Sequence, residues 1–564
     1  MGEKTASSQE KTREILAMYD VRGIQKYIYR TAKVRDAIGA SSIVENIINK
    51  ALENAVKEYL KLEQESGEKN HLKSDLKWFD DNGDRPYEEY EGEFVQVLYI
   101  GGGNAYVRYS SKELALKISK RMSRYIIDHT YSLQLATAFV EKSDNYSKDY
   151  RNLNEQMIKV KEKMCDSKPL GALPIMDIEI KTGFPLSEKI DYEDKKEKVS
   201  RETKLKAGEN RKVRSNQERE EKIFDSYVTK KGTDSTLAVV HIDGNNMGLR
   251  IRGMIKDETE YSGAVNKMRQ ISFQINDSYK KVFNDMKSFF EGDAYMKDDG
   301  KDNHYFVMKV LTAGDDITYI CNATIALATV EYFCNEISKY SMNTDEPDNP
   351  EYKFSVCAGV AYIGSHFPFS VGYEVAEECC SSAKKIAKEN KDGEKVGNWV
   401  DFQICKNVKA LDFDNMRKNE YITCSGEQLL RRPYYIYAKE ESNVFKELNK
   451  KENSFEQFKK DFGKFTKTDE NSHKREIPRS FLKEIRNTYP LGGNQINILN
   501  SFLKSRNNHI DDDDGMYFTN EKGETAAMYY DNLEMMDYYI DLEDIRKKKS
   551  EKNNHLEMTD GEES

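Results

Sequence analysis

Three carboxylates stand out by their settings. Asp243 ends the apolar run LAVVHID, and Asp315 with Asp316 forms the tip of AGDD between two further apolar runs, VMKVLT and ITYI. Carboxylates on neighbouring strands suit a pair of divalent cations, one activating an attacking hydroxyl and the other steadying a triphosphate and its leaving group. Hard oxygen ligands with retained waters point to Mg2+ or Mn2+. Gly244 and Gly314 sit beside these acids. A tight hairpin needs positive φ, and a phosphate comes closest to backbone that has no Cβ, so both are candidate nucleotide-binding positions. Lys384 and Lys388, on a later helical stretch, are candidate triphosphate contacts. AGDD alone also reads as an ordinary surface turn, because Gly and Asp favour turns. The acid ending the preceding strand, and the elements that follow, turn the reading toward a site.

Those elements run in a fixed order from 237 to 405: strand LAVVHID, a helical stretch at about 262 to 290, strand VMKVLT, the AGDD turn, strand ITYI, helix NATIALATVEYFCNEIS, strand FSVCAGVAYI and helix VGYEVAEECCSSAKKIAKE. The strands are short β-branched and aromatic runs, and the helices space apolar residues by three and four. The β-α-β-β-α-β order specifies a ferredoxin-like palm. The same order appears earlier: ILAMYD, a helical stretch at about 36 to 64, VQVLYI, GGGN, AYVRYS, KELALKISKRMSRYIID, LQLATAFVE and a helical stretch at about 147 to 164. Here Gly101, Gly102, Gly103 and Asn104 stand where the later copy has Ala313, Gly314, Asp315 and Asp316.

The expected fold is therefore α+β, two ferredoxin-like palms in tandem with a charged helical connector and a C-terminal helical domain. The expected boundaries are a flexible start over 1–14, a first palm over 15–165, a connector over 166–236, a second palm over 237–430, a helical domain over 431–545 and a disordered tail over 546–564. Within the connector, residues 186–236 are dominated by Lys, Glu, Asp and Arg and read as a solvated helix or flexible link.

Composition excludes several classes. A formal charge of −10 argues against a protein that coats nucleic acid indiscriminately. No apolar run is long enough to span a bilayer and the start lacks a signal-peptide core, so a cytoplasmic location without membrane partners is expected. The 8 cysteines, with no CxxC, read as reduced thiols and offer no zinc ligand set.

Taken together, YDVRGIQKYIYRTAKVRDAIGASSIV, GGGN, HIDGNNMG, AGDD and CAGVAYIGSHFPFSVGYEVAEECCSSAKKIAKE resemble, in order, segments of the polymerase-cyclase large subunit of type III CRISPR effector complexes. The resemblance spans about residues 15 to 440. It implies metal ligation by Asp243, Asp315 and Asp316, a triphosphate bordered by Gly314, and palms that face each other across nucleotides. It also implies conversion of ATP, or another nucleoside triphosphate, into cyclic or short linear oligonucleotide signals for antiviral defence, with effector subunits and guide RNA as possible partners.

Departures qualify what the resemblance carries over. No His-Asp nuclease domain is expected ahead of the first palm, and LPIMDIEIKTGFPLSEK stands where relatives have a cysteine-containing zinc element, which Cys165 alone cannot replace. Ala313 takes the place of the first Gly of GGDD, and Asn245 stands where some relatives carry a second acid. A dinucleotide or mononucleotide cyclase, and a non-catalytic scaffold subunit, are the alternative readings.

Overall fold

The structure, a computed structural model, describes residues 13–30, 34–66, 71–78, 85–101, 103–165, 173–192, 195–213, 236–291, 305–365, 367–393, 395–405, 413–438, 443–466, 477–506, 510, 515–520 and 523–550. Gly102, the second half of the predicted connector, most of the DDDDG run and most of the predicted tail lie outside them.

The first copy comprises β1 (Ile15–Arg22), α1 (Ile24–Tyr29), α2 (Val34–Ser66), β2 (Phe94–Gly101), β3 (Asn104–Tyr109), α3 (Lys112–Thr130), β4 (Gln134–Glu141) and α4 (Tyr146–Lys163). Its sheet runs β2-β3-β1-β4, with a short strand Lys73–Asp75 added in parallel outside β2. The four main strands are antiparallel to their neighbours. This is the ferredoxin-like order. Central β1 reads as an unbroken apolar run because helices cover both faces of the sheet. Side-chain caps start the last two helices: Ser111 accepts from the Leu114 amide at 3.2 Å and Asn145 from the Lys148 amide at 2.9 Å.

Beyond it lies α5 (Arg201–Val213), preceded by a hairpin of Glu188–Tyr192 and Lys195–Val199. This part of the connector is not solvated as its charge suggests. Glu202 and Lys206 are fully buried, and Lys206 Nζ donates to Glu202 Oε1 at 2.7 Å and to the Tyr27 carbonyl at 2.5 Å. Two opposite charges one helical turn apart satisfy each other in a place neither could enter alone. The helix lies tight on α2 because Gly39 has no side chain; a Cβ there would stand 2.0 Å from the Lys206 carbonyl oxygen.

The second copy repeats the order with β5 (Thr236–Gly244), α6 (Met247–Ile255), α7 (Tyr261–Glu291), β6 (Val307–Ala313), β7 (Asp316–Asn322), α8 (Ala326–Ile337), β8 (Val356–Gly364) and α9 (Phe369–Glu389). Two strands unforeseen in the sequence, β9 (Asn398–Ile404) and β10 (Tyr434–Ile436), extend the sheet to β10-β9-β8-β5-β7-β6. β9 runs parallel to β8 through the α9 crossover. β10 pairs with Asn398–Val400, so residues placed at the start of the C-terminal domain complete the palm sheet instead. The helices that follow have their own core, including Leu482, Ile485, Tyr489, Ile496 and Leu533. They are tied to the palm by buried Arg432, which donates to Asp531 at 3.2 Å and Glu534 at 3.0 Å.

The two palms pack by exchanging equivalent surfaces: α2 lies on β6, and α7 on β2. Arg269 of α7 is buried and donates to the Leu98 and Val97 carbonyls at 2.6 and 3.0 Å, where β2 bulges. Lys280 of α7 pairs with Glu45 of α2 at 3.3 Å. Among the described residues no helix is long and apolar enough to cross a membrane.

Candidate active site

Strand register sets the acids together. β5 and β7 are antiparallel with Ile317 opposite Ile242 and Thr318 opposite His241, which puts Asp316 opposite Asp243 at the strand ends. Alternation then divides the faces. Ile242 and Ile317 are buried in the core, while His241, Asp243, Asp316 and Thr318 share the other face. A slip of one residue would turn the acids inward, so the apolar alternation fixes the site.

The turn between β6 and β7 supplies Asp315. Gly314 has φ of 65°, the left-handed region the sequence demanded there. Gly244 serves otherwise than expected: it is not among the positive-φ glycines, and its missing Cβ leaves room for Asp315, whose Oδ2 would lie 2.8 Å from such a Cβ. Ala313 pairs with Asp316 across the turn. Asn245 is buried, its amide donating to Ser355 Oγ at 3.3 Å and the Gly397 carbonyl at 3.1 Å, so it ties β5 to neighbouring loops.

Helix α9 lies over the same face. A Cβ on Gly359 of β8 would stand 1.9 Å from the Ala376 carbonyl oxygen, so only glycine admits the helix this closely. That seating delivers Lys384, whose Nζ donates to Asp243 Oδ2. Burial disfavours the ammonium, but the Asp243 charge outweighs it and holds Lys384 above its usual range. Lys388, one turn further on, is exposed.

The electrostatics are those of crowded carboxylates. Burial, then the Asp243 charge, pushes Asp315 up to about 6. The same causes, with Asp315 adding to them, hold Asp316 well above the carboxylate range. His241 is pushed down to about 4 by burial, so its ring is neutral near pH 7. Its Nδ1 lies 3.2 Å from Thr318 Oγ1 and 3.4 Å from Asp316 Oδ1. Asp316 Oδ1 is buried and makes no hydrogen bond.

An orphaned carboxylate oxygen amid three acids and one ammonium fits a cation, and the hard donors suit Mg2+ or Mn2+. No three His, Cys, Asp or Glu side chains among the described residues already form a ligand shell. The eight cysteines are free thiols, with Cys379 and Cys380 buried.

The first palm repeats half of this site, which sequence reasoning missed. Asp20 of β1 pairs with Asn104 and with Ala136 just as Asp243 stands between Asp316 and Cys357. Lys161 of α4 donates to Asp20 as Lys384 does to Asp243. The available signal was the repeat itself, since Asp20 and Lys161 precede Asp243 and Lys384 by the same 223 residues.

Residues 236–394 match the family described as Cas10/Cmr2, second palm domain. No curated protein matches the chain. Among solved structures, the Csm1-Csm4 cassette in complex with pppApA is 12% identical, with a TM-score of 0.50, over 93% of this chain and 70% of that one. Csm1 in T. onnurineus is 13% identical over 93% of this chain and 69% of its own, with a TM-score of 0.48. For the Csm1-Csm4 cassette in complex with cA4 the identity is 13% and the TM-score 0.47, over 87% of this chain; the chain spans 65% of that relative's length. Residues 236–394 thus match the second palm domain described for Cas10/Cmr2, and the fold of the chain as a whole is similar to that in the Csm1-Csm4 cassette.

Proposed function

We propose that the protein is a metal-dependent nucleotidyltransferase that joins ATP, or another nucleoside triphosphate, into cyclic or short linear oligonucleotide signals for antiviral defence. The observation that carries this is the register that brings Asp316 against Asp243, with Asp315 folded over Gly244 and one Asp316 oxygen left without a partner. Asp243, Asp315 and Asp316 would hold Mg2+ or Mn2+, which when bound activates the attacking hydroxyl and neutralises charge on the triphosphate. Gly314 and Gly244 keep side chains away from the approach to the acids. Lys384, paired to Asp243, would also meet phosphate oxygens, and exposed Lys388 would be a second phosphate contact. In this reading the partners are nucleoside triphosphates together with CRISPR effector subunits and guide RNA.

The scaffold reading draws on one observation: Lys384 already neutralises Asp243, and no complete ligand shell stands ready among the described residues. The test is incubation of the purified chain with each radiolabelled nucleoside triphosphate and Mg2+ or Mn2+, beside the Asp315→Asn, Asp316→Asn variant, with products resolved by mass spectrometry. Oligonucleotide made by the wild type and lost in the variant by about 100-fold or more is expected, since the cations supply several kcal/mol. No product, with no metal-dependent nucleotide binding, would leave the scaffold.

A further inference from the structure

The acid face of the second palm is not built by that palm alone. Tyr29, at the end of α1 in the first palm, is buried and lies face to face on Tyr373 of α9, ring centroids 3.4 Å apart at 16°. Tyr373 meets the His241 ring edge-on at 5.6 Å and 80°, and His241 reaches Asp316 Oδ1 at 3.4 Å. One turn before Tyr29, Gln25 donates to Glu377 Oε1 at 3.0 Å, so α1 meets α9 at two points. The buried Lys206 of the connector holds α1 from behind through the Tyr27 carbonyl.

The hydroxyls of Tyr29 and Tyr373 and the Oδ1 of Asp316 are buried close to one another. The Asp316 carboxylate acts on both hydroxyls, and Thr318 on that of Tyr29.

From this geometry we infer that Tyr29 is a positioning residue: through the Tyr29–Tyr373–His241 stack the first palm orients Asp316 of the second. The inference rests on the metal-dependent reading above. It makes palm docking a condition of the acid site, because the aromatic ring that supports His241 and Tyr373 arrives from the other palm.

Mn2+ binding to the full chain, followed by electron paramagnetic resonance, tests it beside steady-state kinetics, for wild type, Tyr29→Ala, Tyr29→Phe and Lys280→Gln. Lys280 joins the palms through its partly exposed pair with Glu45 and contacts neither Tyr29 nor the acids in any hydrogen bond or ion pair among the described residues. Groups that orient a metal ligand typically govern affinity or rate by 10- to 100-fold, so Tyr29→Ala should weaken Mn2+ binding and lower kcat by about 10-fold each, with KM for the nucleotide little changed. Tyr29→Phe keeps the ring and should recover most of kcat, and Lys280→Gln should match wild type. Wild-type Mn2+ affinity in a folded Tyr29→Ala overturns the inference, as does an equal loss in Lys280→Gln. If Tyr29→Ala fails to fold, Tyr29→Leu, which keeps apolar bulk without the ring, decides, and Mn2+ affinity identical to wild type in that variant overturns the inference. Wild type that binds Mn2+ through Asp315 and Asp316 yet makes no oligonucleotide overturns the synthase reading, and the binding arm still decides Tyr29. Wild type that binds no Mn2+ overturns both.

Discussion

The two palms share a frame and differ in what fills it. Each ends its central strand in an aspartate, Asp20 or Asp243, paired to a lysine from the helix after the fourth strand, Lys161 or Lys384. In the first palm Asn104 and Gly103 stand at the turn. At the positions of His241, Thr318 and Tyr373 it has Met18, Tyr106 and Tyr150, and the rings of Tyr99, Tyr106 and Tyr150 stack at 4.5 and 5.6 Å. An aspartate with one lysine is electrostatically complete. Two further carboxylates on the same face leave the second palm with more negative charge than Lys384 balances, and burial first, then that neighbouring charge, makes Asp315 and Asp316 hold their protons more tightly. In the metal-dependent reading proposed above, the demand for cations comes from the turn acids and not from the palm fold.

The sharpest way to break that comparison is to remove the equivalent aspartates one at a time. Asp243→Asn is expected to lower oligonucleotide synthesis by about 100-fold or more, because it removes a proposed metal ligand. Asp20→Asn should change the rate by no more than a few-fold. Equal losses in a product assay would mean that the first palm is not a silent copy.

A structural contrast comes next. Gly359 admits α9 against β8, while the position it matches in the first palm is Ala138. Gly359→Ala must push the helix and Lys384 off the sheet, and overpacking of this kind costs about 1–3 kcal/mol. Denaturant unfolding should show that loss, together with lower synthesis. Ala138→Gly should cost less, about 1 kcal/mol, from strand entropy alone.

The smallest effect is a stability that depends on pH. Asp315 titrates at about 6 in the folded chain against 3.8 ordinarily, so the folded state binds more protons in that window and loses stability as pH rises through it. Without metal at pH 8, Asp315→Asn should be more stable than wild type by about 1–2 kcal/mol, discounted because the site is partly open to solvent. The gain should vanish near pH 4 and shrink or reverse when Mg2+ is added. Thermal melts at both pH values, with chelator and with Mg2+, check it. A variant less stable than wild type at pH 8 in chelator would show that the carboxylates do not repel one another.

Much of the site was legible because its residues sit at the ends of periodic segments. Apolar runs before Asp243 and on both sides of AGDD located the strands, and Gly314 announced its own backbone angle. Gly244 was legible as a close approach, although what approaches is the Asp315 side chain. Asp20 and Lys161 were hidden because single residues without turn acids carry no motif. Tyr29 belongs to no chemical motif, and nothing in its local sequence sets it apart from the other tyrosines. The buried pair of Glu202 and Lys206 contradicted the simplest reading of charge, since composition says nothing of which charges find partners. β10 was missed because it is a short edge strand of 3 residues, and β9 because Asn398, Asp401 and Gln403, all buried, interrupt its apolar run.

The sequence by itself determined the order of elements, the doubling of the palm and the placing of three acids at the strand ends, because periodicity and turn residues act over a few positions. Only the tertiary structure decided that Lys384 and not Lys388 meets Asp243, that Gly359 sets the height of α9, and that Tyr29 of one palm supports the acid face of the other. Those facts depend on which surfaces pack together, across 141 residues of chain for Lys384 and Asp243 and 344 for Tyr29 and Tyr373, separations at which local patterning carries no information.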